Sequence, residues 1–274
     1  MAETRVLIKS SNPWSTIKIA DLWEYRELLF FLVWRDIRVR YKQTALGLLW
    51  ILLQPIISTL IFTVLFNKIL KVQSTHVPYP LFLLVALLPW NYFSSSLTRA
   101  SSSFVSNASI ITKVYFPRFI IPLASILSGL VDLFFASLVL AGMFVYYRIV
   151  PSMNIVYLPL LLFLVIGITL GFSLWFSSLN VRFRDVSLVM PFLLQVWMYV
   201  TPVVYGEEII PQRYHWILNL NPMAAAVASF RWALLQTTPP ALSTVVPALI
   251  LTTLILITGS LVFRKNELRF AEIL

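Results

Sequence analysis

The chain contains no cysteine, so disulfides, thiol nucleophiles and cysteine-ligated metals are all excluded. It has only two histidines, His76 and His215, far apart in sequence and both between apolar runs; neither a metal site nor a histidine-based triad fits that placement. Charge is scarce too. Of 274 residues 12% are charged and 59% are hydrophobic, whereas a soluble domain carries about a quarter charged residues. None of the seven glycines (Gly47, Gly129, Gly142, Gly167, Gly171, Gly206 and Gly259) precedes a lysine, so the loop that cradles nucleotide phosphates is missing. Asp132 is the only ionisable residue well inside a long apolar run. One carboxylate has no second group with which to divide acid and base roles, and an ion-coupled carrier needs more intramembrane charge than this. Asp132 therefore reads either as a packing residue bonded to serine or backbone groups, or as a functional one.

What the sequence does have is length of apolar run. Residues 45–67, 79–97, 119–147, 155–179, 186–204 and 244–263 each approach the roughly 30 Å of bilayer hydrocarbon at 1.5 Å per helical residue, which predicts an all-α membrane protein of six spans. Met1 to Pro13 is polar, so the N-terminus does not read as a signal peptide. Six spans put both ends on one face, and the basic residues then test the topology. Lys68, Lys71, Arg148, Arg213 and Arg231 fall outside and the other 16 of the 21 fall inside, so the termini are expected in the cytoplasm. The net charge of +10 is thus spread as topology signals and headgroup contacts, with no continuous patch for nucleic acid.

Residues 21–42 are too charged to span. Their helical pattern places Trp23, Phe30, Trp34, Ile37 and Tyr41 on one side and Glu24, Glu27, Arg35, Arg38 and Lys42 on the other. Such a helix suits the headgroup plane, with a soluble helix packed on another domain as the alternative. Between the last two spans, residues 205–242 include the run 223–235, only 13 residues long and interrupted by Arg231, which suits a re-entrant or interfacial segment. Pro211, Pro222, Pro239 and Pro240 divide this stretch into two short helices. They read as an outer gate with Tyr205, Trp216, Phe230 and Trp232, or as a loop resting on the outer leaflet. Gly167 and Gly171 form a small-xxx-small pair that signals close helix packing.

Aromatic residues make up 15% of the chain. An interfacial belt accounts for Trp14, Tyr146, Tyr147 and Tyr157. It accounts less well for Trp50, Phe62, Phe192, Trp197 and Tyr199, which lie within spans near Pro55, Pro191 and Pro202. Flat aromatic faces stack on the C–H faces of sugars without demanding specific hydrogen bonds, so these five are candidates for lining a path. A membrane glycosyltransferase fits poorly, because the only adjacent acids, Glu207 and Glu208, fall on the outer side.

Several segments together resemble one family. Arg40-Tyr-Lys-Gln-Thr-Ala-Leu-Gly47 leads to Trp50 and Pro55, and is followed by Lys113-Val-Tyr-Phe-Pro-Arg118 with Pro122, Asn180-Val-Arg-Phe-Arg-Asp185, Thr201-Pro202 with Tyr205, and Asn221-Pro222. In this order, from Trp23 to Arg269, the chain is similar to the membrane subunit of ATP-binding-cassette type-2 exporters of O-antigens, capsules and teichoic acids. The resemblance implies an interface helix within residues 1–43, a six-helix domain over 44–263 and a cytoplasmic tail over 264–274 in a bacterial inner-membrane homodimer. It also implies a separate ATPase that holds ATP and Mg, with no cofactor and no catalytic residue in this chain. A coupling helix near 104–115 would dock on that ATPase. The coupling candidates are Trp34, Arg35, Arg38, Phe104, Ser106, Ile110, Lys113 and Tyr115, and the expected cargo is a lipid-linked polysaccharide. An exporter of drugs or small lipids would share the fold, and a non-transporting scaffold is a further alternative.

Overall fold

The computed structural model describes residues 19–42, 49–71 and 77–267. Trp14, the start of the first span at Ala45, residues 43–47 of the first motif and Arg269 lie outside the described residues. Every regular element described is helical: α1 (Ile19–Glu24), α2 (Arg26–Lys42), α3 (Leu49–Phe62), α4 (Tyr79–Ser106), α5 (Ala108–Ile111), α6 (Ile120–Tyr147), α7 (Leu158–Arg182), α8 (Asp185–Val200), α9 (His215–Asn219), α10 (Pro222–Leu235) and α11 (Leu242–Glu267). A π-helical turn, Thr63–Ile69, extends α3, and a 3₁₀ turn, Met153–Tyr157, leads into α7.

Five of these stretches are long and apolar enough to cross a membrane: Leu49–Ile69, Tyr79–Ser106, Ile120–Tyr147, Met153–Arg182 and Leu242–Glu267. The run expected at 186–204 forms a 16-residue helix instead. Its length is about 24 Å at 1.5 Å per residue, short of the hydrocarbon width. The helix stops because Thr201 turns extended, and the residue before a proline disfavours helical backbone. In the opposite sense, α4 runs nine residues past the expected end at Leu97. Its serine-rich tail stays helical because Ser101, Ser102, Ser103 and Ser106 donate back to carbonyls three or four residues earlier, satisfying their hydroxyls inside the bundle.

α4 is the central post. In its most apolar stretch 72% of residues are buried, against 17% in α3. Leu81, Leu84, Leu87, Phe93 and Leu97 of α4 sit in a core with Ile126 of α6, Val165 and Ile168 of α7 and Val227 and Phe230 of α10. Glycine sets the α7–α11 approach: a Cβ on Gly259 would lie 2.7 Å from the Gly171 carbonyl oxygen, and one on Gly171 would lie 2.9 Å from Ile255. Of the predicted small pair, Gly171 makes this contact, while a Cβ on Gly167 would meet only an ordinary neighbour at 3.4 Å. Leu22, Tyr25, Leu29 and Leu32 share a second core with Phe104, Phe119 and Phe263, so both described ends of the chain meet at one end of the bundle.

Arg231 corrects two expectations. It does not interrupt the run 223–235, which is a continuous helix, and it is no exposed topology signal, being only 5% accessible. Its Nη1 donates to the carbonyls of Pro202 (2.7 Å) and Tyr205 (3.2 Å), its Nη2 to that of Val203 (2.7 Å), and its guanidinium stacks 3.6 Å from the Phe82 ring centre. The cation thus clamps the turn that follows α8. Beside it, Glu207 sits with its carboxyl pushed up from the usual range by burial, against the downward pull of Arg231.

Candidate functional site

Asp132 has partners, and they come from distant parts of the chain. Arg40, on the last turn of α2, donates from Nη1 to Asp132 Oδ2 at 2.6 Å and from Nη2 to Ser128 Oγ at 3.1 Å. The Tyr41 hydroxyl donates to the other oxygen of Asp132. Burial pushes the Tyr41 phenol up, which keeps that proton in place. Arg99 of α4 approaches Asp132 Oδ2 at 3.6 Å and donates from Nη2 to Ser96 Oγ at 3.1 Å. Ser128 and Asp132 lie four residues apart, so both face α2 from adjacent turns of α6. Gly129, on the turn between them, makes room for Arg99: a Cβ there would lie 2.3 Å from Ser96 Oγ and 2.6 Å from Arg99 Nη2.

A cavity of about 390 Å³ opens beside the cluster. Its lining is mixed: α4 contributes Leu84 and Leu88 and, further along, Asn91, Ser94 and Ser95, while Gln54 and Trp50 of α3 and Leu133 and Ala136 of α6 complete it. A second polar cleft lies along Arg40 and Arg99 toward Arg35, Ser102, Ser106 and Asn107. Its Arg35 donates to Asp36 at 2.8 Å and to the Asn107 side chain at 2.7 Å, which ties α2 to the residue that precedes α5. Thus α2 is fastened twice, to the α4–α5 turn through Arg35 and to the middle of α6 through Arg40.

The two faces of α2 differ from the expected division. Phe30 and Trp34 of α2 are exposed, as is Trp23 on the preceding α1, but Tyr41 turns away from the expected aromatic face to bond Asp132. Arg35, expected on the polar face, and Arg40, expected among the cytoplasmic topology signals, both turn inward because Asn107 and Asp132 offer them acceptors. Arg38 remains exposed. Of the coupling candidates, Ser106, Lys113 and Tyr115 are exposed, Tyr115 at 90%, and Ile110 is half-buried. Phe104 is fully buried against Phe263, ring centres 5.6 Å apart, so its own side chain offers nothing to a partner. The segment 104–115 is the end of α4, a turn at Asn107 and the four-residue α5 rather than one helix.

The path candidates also separate. Trp50 and Tyr199 are half exposed and Phe192 more so. Trp197 is anchored from behind, donating to Asn221 at 3.1 Å and meeting Phe93 and Phe172 edge-on at 5.2 and 4.9 Å, although its outer edge joins Phe192 on an apolar groove. Phe62 packs partly into the core beside Phe66. Among the gate candidates Trp216 is exposed, Tyr205 donates to the Tyr199 carbonyl at 2.6 Å, and Trp232 packs on Tyr157. Phe230 is buried in the core and forms no gate surface.

Residues 27–235, which hold nearly all of α2, the cluster and α10, match the family model described as ABC-2 type transporter. The chain belongs to the ABC-2 type transporter family. Within it, the chain is 35% identical to an O-antigen export system permease protein of Klebsiella pneumoniae over 251 residues, 90% of this chain and 95% of that protein. It is 27% identical to the O-antigen export system permease protein of Myxococcus xanthus over 93% of this chain and 98% of that one. A polysialic acid transport protein of Escherichia coli matches at 27% over 73% of this chain and 78% of its own length. As an ABC-2 family member the chain is a transport subunit, not an enzyme.

Proposed function

We propose that this chain is the membrane subunit of an ATP-driven exporter that moves a lipid-linked polysaccharide of O-antigen type across the bacterial inner membrane. Similarity to O-antigen export permeases over nearly the full length of both chains carries the reading. The absence of a phosphate-binding loop supports a separate ATPase as the source of work, with ATP and Mg held there.

In this reading α8, with the turn that Arg231 clamps, is a short crossing that brings the number to six, and both termini are cytoplasmic. The apolar faces that α3 and α8 leave uncovered, including Ile57, Leu60, Ile61, Leu188, Phe192 and Val196, suit a second copy of the chain and a passage between the two. Trp50, Phe192 and Tyr199 project from those faces and are the path residues of choice. Ser106, Lys113 and Tyr115, with Trp34 and Arg38 of α2, offer the exposed surface on which an ATPase would dock, and Trp216 and Tyr205 stand at the opposite end where an outer gate belongs. Proteoliposomes holding this chain, its ATPase and a lipid-linked oligosaccharide should deliver glycan to the far side only when ATP is hydrolysed. Delivery that is absent with a competent ATPase, or that proceeds without nucleotide, would refute the reading.

A further inference from the structure

The cluster on Asp132 holds more positive charge than its own contacts balance. Two guanidinium groups face one carboxylate, and among the described residues no other acid lines the cavity beside them. Asp36, the acid on the neighbouring cleft, is already paired with Arg35 at 2.8 Å. Asp132 lies roughly 18 Å along α6 from its first residue, half-buried with Arg40 and Arg99 at the middle of the apolar helix. A net cation at that depth is costly unless an anion or water meets it.

The surroundings are built for an occupant. Gly129 keeps α6 flat where Arg99 crosses it, and a Cβ there would force the Ser96 hydroxyl and the Arg99 guanidinium to shift. The Arg99 Nε atom is buried with no hydrogen-bond partner, and the long 3.6 Å contact to Asp132 leaves Nη1 incompletely served. Guanidinium forks match phosphate oxygens in pairs, and phosphate brings more charge and more acceptor oxygens than a single carboxylate. The α4 lining changes along its axis from leucines (Leu84, Leu88) to polar side chains (Asn91, Ser94, Ser95) toward Arg99, which suits a group that joins a glycan to a lipid chain.

We infer that Arg40 and Arg99 form a binding site for the phosphate or diphosphate that links a membrane lipid to its glycan, and that Asp132 occupies these arginines until that anion displaces it. The inference deepens the export reading and rests on it. Because Arg40 rides on α2 while Arg99 and Asp132 ride on α4 and α6, any shift of α2 opens or closes the site, and α2 is tied through Arg35 to the turn before α5. A movement at that turn is therefore a movement of the phosphate site.

The test is binding of farnesyl diphosphate to the purified full-length chain with its ATPase in detergent, with farnesol and phosphatidylglycerol as competitors. The diphosphate should bind at least tenfold more tightly than farnesol, and phosphatidylglycerol should not displace it at equal concentration. Arg99→Gln should weaken binding tenfold or more, and Asp132→Asn should strengthen it severalfold by removing the competing carboxylate. A merely structural salt bridge predicts the opposite sign for Asp132→Asn, and that outcome would overturn the inference. Equal binding of farnesol by the unaltered protein would also overturn it, whether or not the variants fold. Efficient displacement by phosphatidylglycerol would assign the arginines to bulk phospholipid and overturn the substrate version. Export that proceeds in proteoliposomes while binding ignores the phosphate would sink this site alone and leave the export reading standing.

Discussion

Two arginines among apolar helices, the buried Arg231 and the half-buried Arg99, solve the same problem in different ways. Each leaves its Nε buried and without a hydrogen-bond partner among the described residues. Arg231 is otherwise fully occupied: three backbone carbonyls and the face of Phe82 surround it. Arg99 has one serine and a distant carboxylate shared with Arg40, and a cavity beside it. A cation whose donors are spent on the backbone is a structural staple, because carbonyls cannot leave. One that shares its counter-ion beside open space can exchange that counter-ion. The contrast separates fold from function more sharply than burial does.

The largest expected effect falls on the staple. Arg231→Leu strands three buried carbonyls of the turn after α8 and should cost about 3 to 5 kcal/mol, lowering thermal stability in detergent or preventing assembly. Arg231→Lys restores the charge but not the planar fork, and should recover only part of that loss. If the leucine variant melts like the parent, the clamp is incidental and the comparison fails. Next in size is Trp197→Ala, which removes a ring packed on Phe93 and Phe172 and should cost about 3 kcal/mol. Trp50→Ala, from a half-exposed position, should leave stability within about 0.5 kcal/mol and slow export. Equal destabilisation by both substitutions would show that the path and the scaffold were wrongly divided.

Gly129→Ala sharpens the other side of the comparison. It leaves every charge in place but forces Ser96 and Arg99 aside, at a cost of about 1 to 3 kcal/mol in packing. Export should fall at least tenfold at a temperature where the protein remains folded, whereas Gly142→Ala, which meets nothing within 4 Å, should export normally. The smallest effect concerns Glu207. Its carboxyl is pushed up by burial, so the folded protein holds that proton more tightly than the unfolded chain does. Its contribution is therefore fully present below the unfolded carboxylate value and is lost as pH rises toward the folded one. Glu207→Gln should flatten this decline in a pH series of melting temperatures, and an unchanged slope would contradict the assignment.

The spans were legible because their signal is local: run length and hydropathy locate α3, α4, α6, α7 and α11 without any tertiary information. Where expectation and structure part at helix ends, the cause is still local: α4 continues through its serines, whose hydroxyls find carbonyls within the helix, and α8 stops short at Thr201-Pro202. Where side-chain direction was misjudged, a distant partner is responsible. The inward turn of Arg35 and Arg40 was invisible because Asn107 and Asp132 lie 72 and 92 residues away. Asp132 looked solitary for the same reason. Phe104 and Phe230 read as surface aromatics but are core residues, since aromatic identity carries no sign of direction. One local signal could have located the site: an aspartate three residues after a glycine in an apolar run marks a helix face that admits a large polar neighbour.

The central claim is that this chain carries a lipid-linked glycan across the membrane with work supplied by another subunit. Its most direct test is made in cells that synthesise the glycan, after removal of this chain alone. Lipid-linked polysaccharide should accumulate on the cytoplasmic face, out of reach of an externally added glycosidase, and surface glycan should return when the chain is restored beside an active ATPase but not beside a hydrolysis-dead one. Undiminished surface glycan without the chain, or full rescue beside the dead ATPase, would contradict the account.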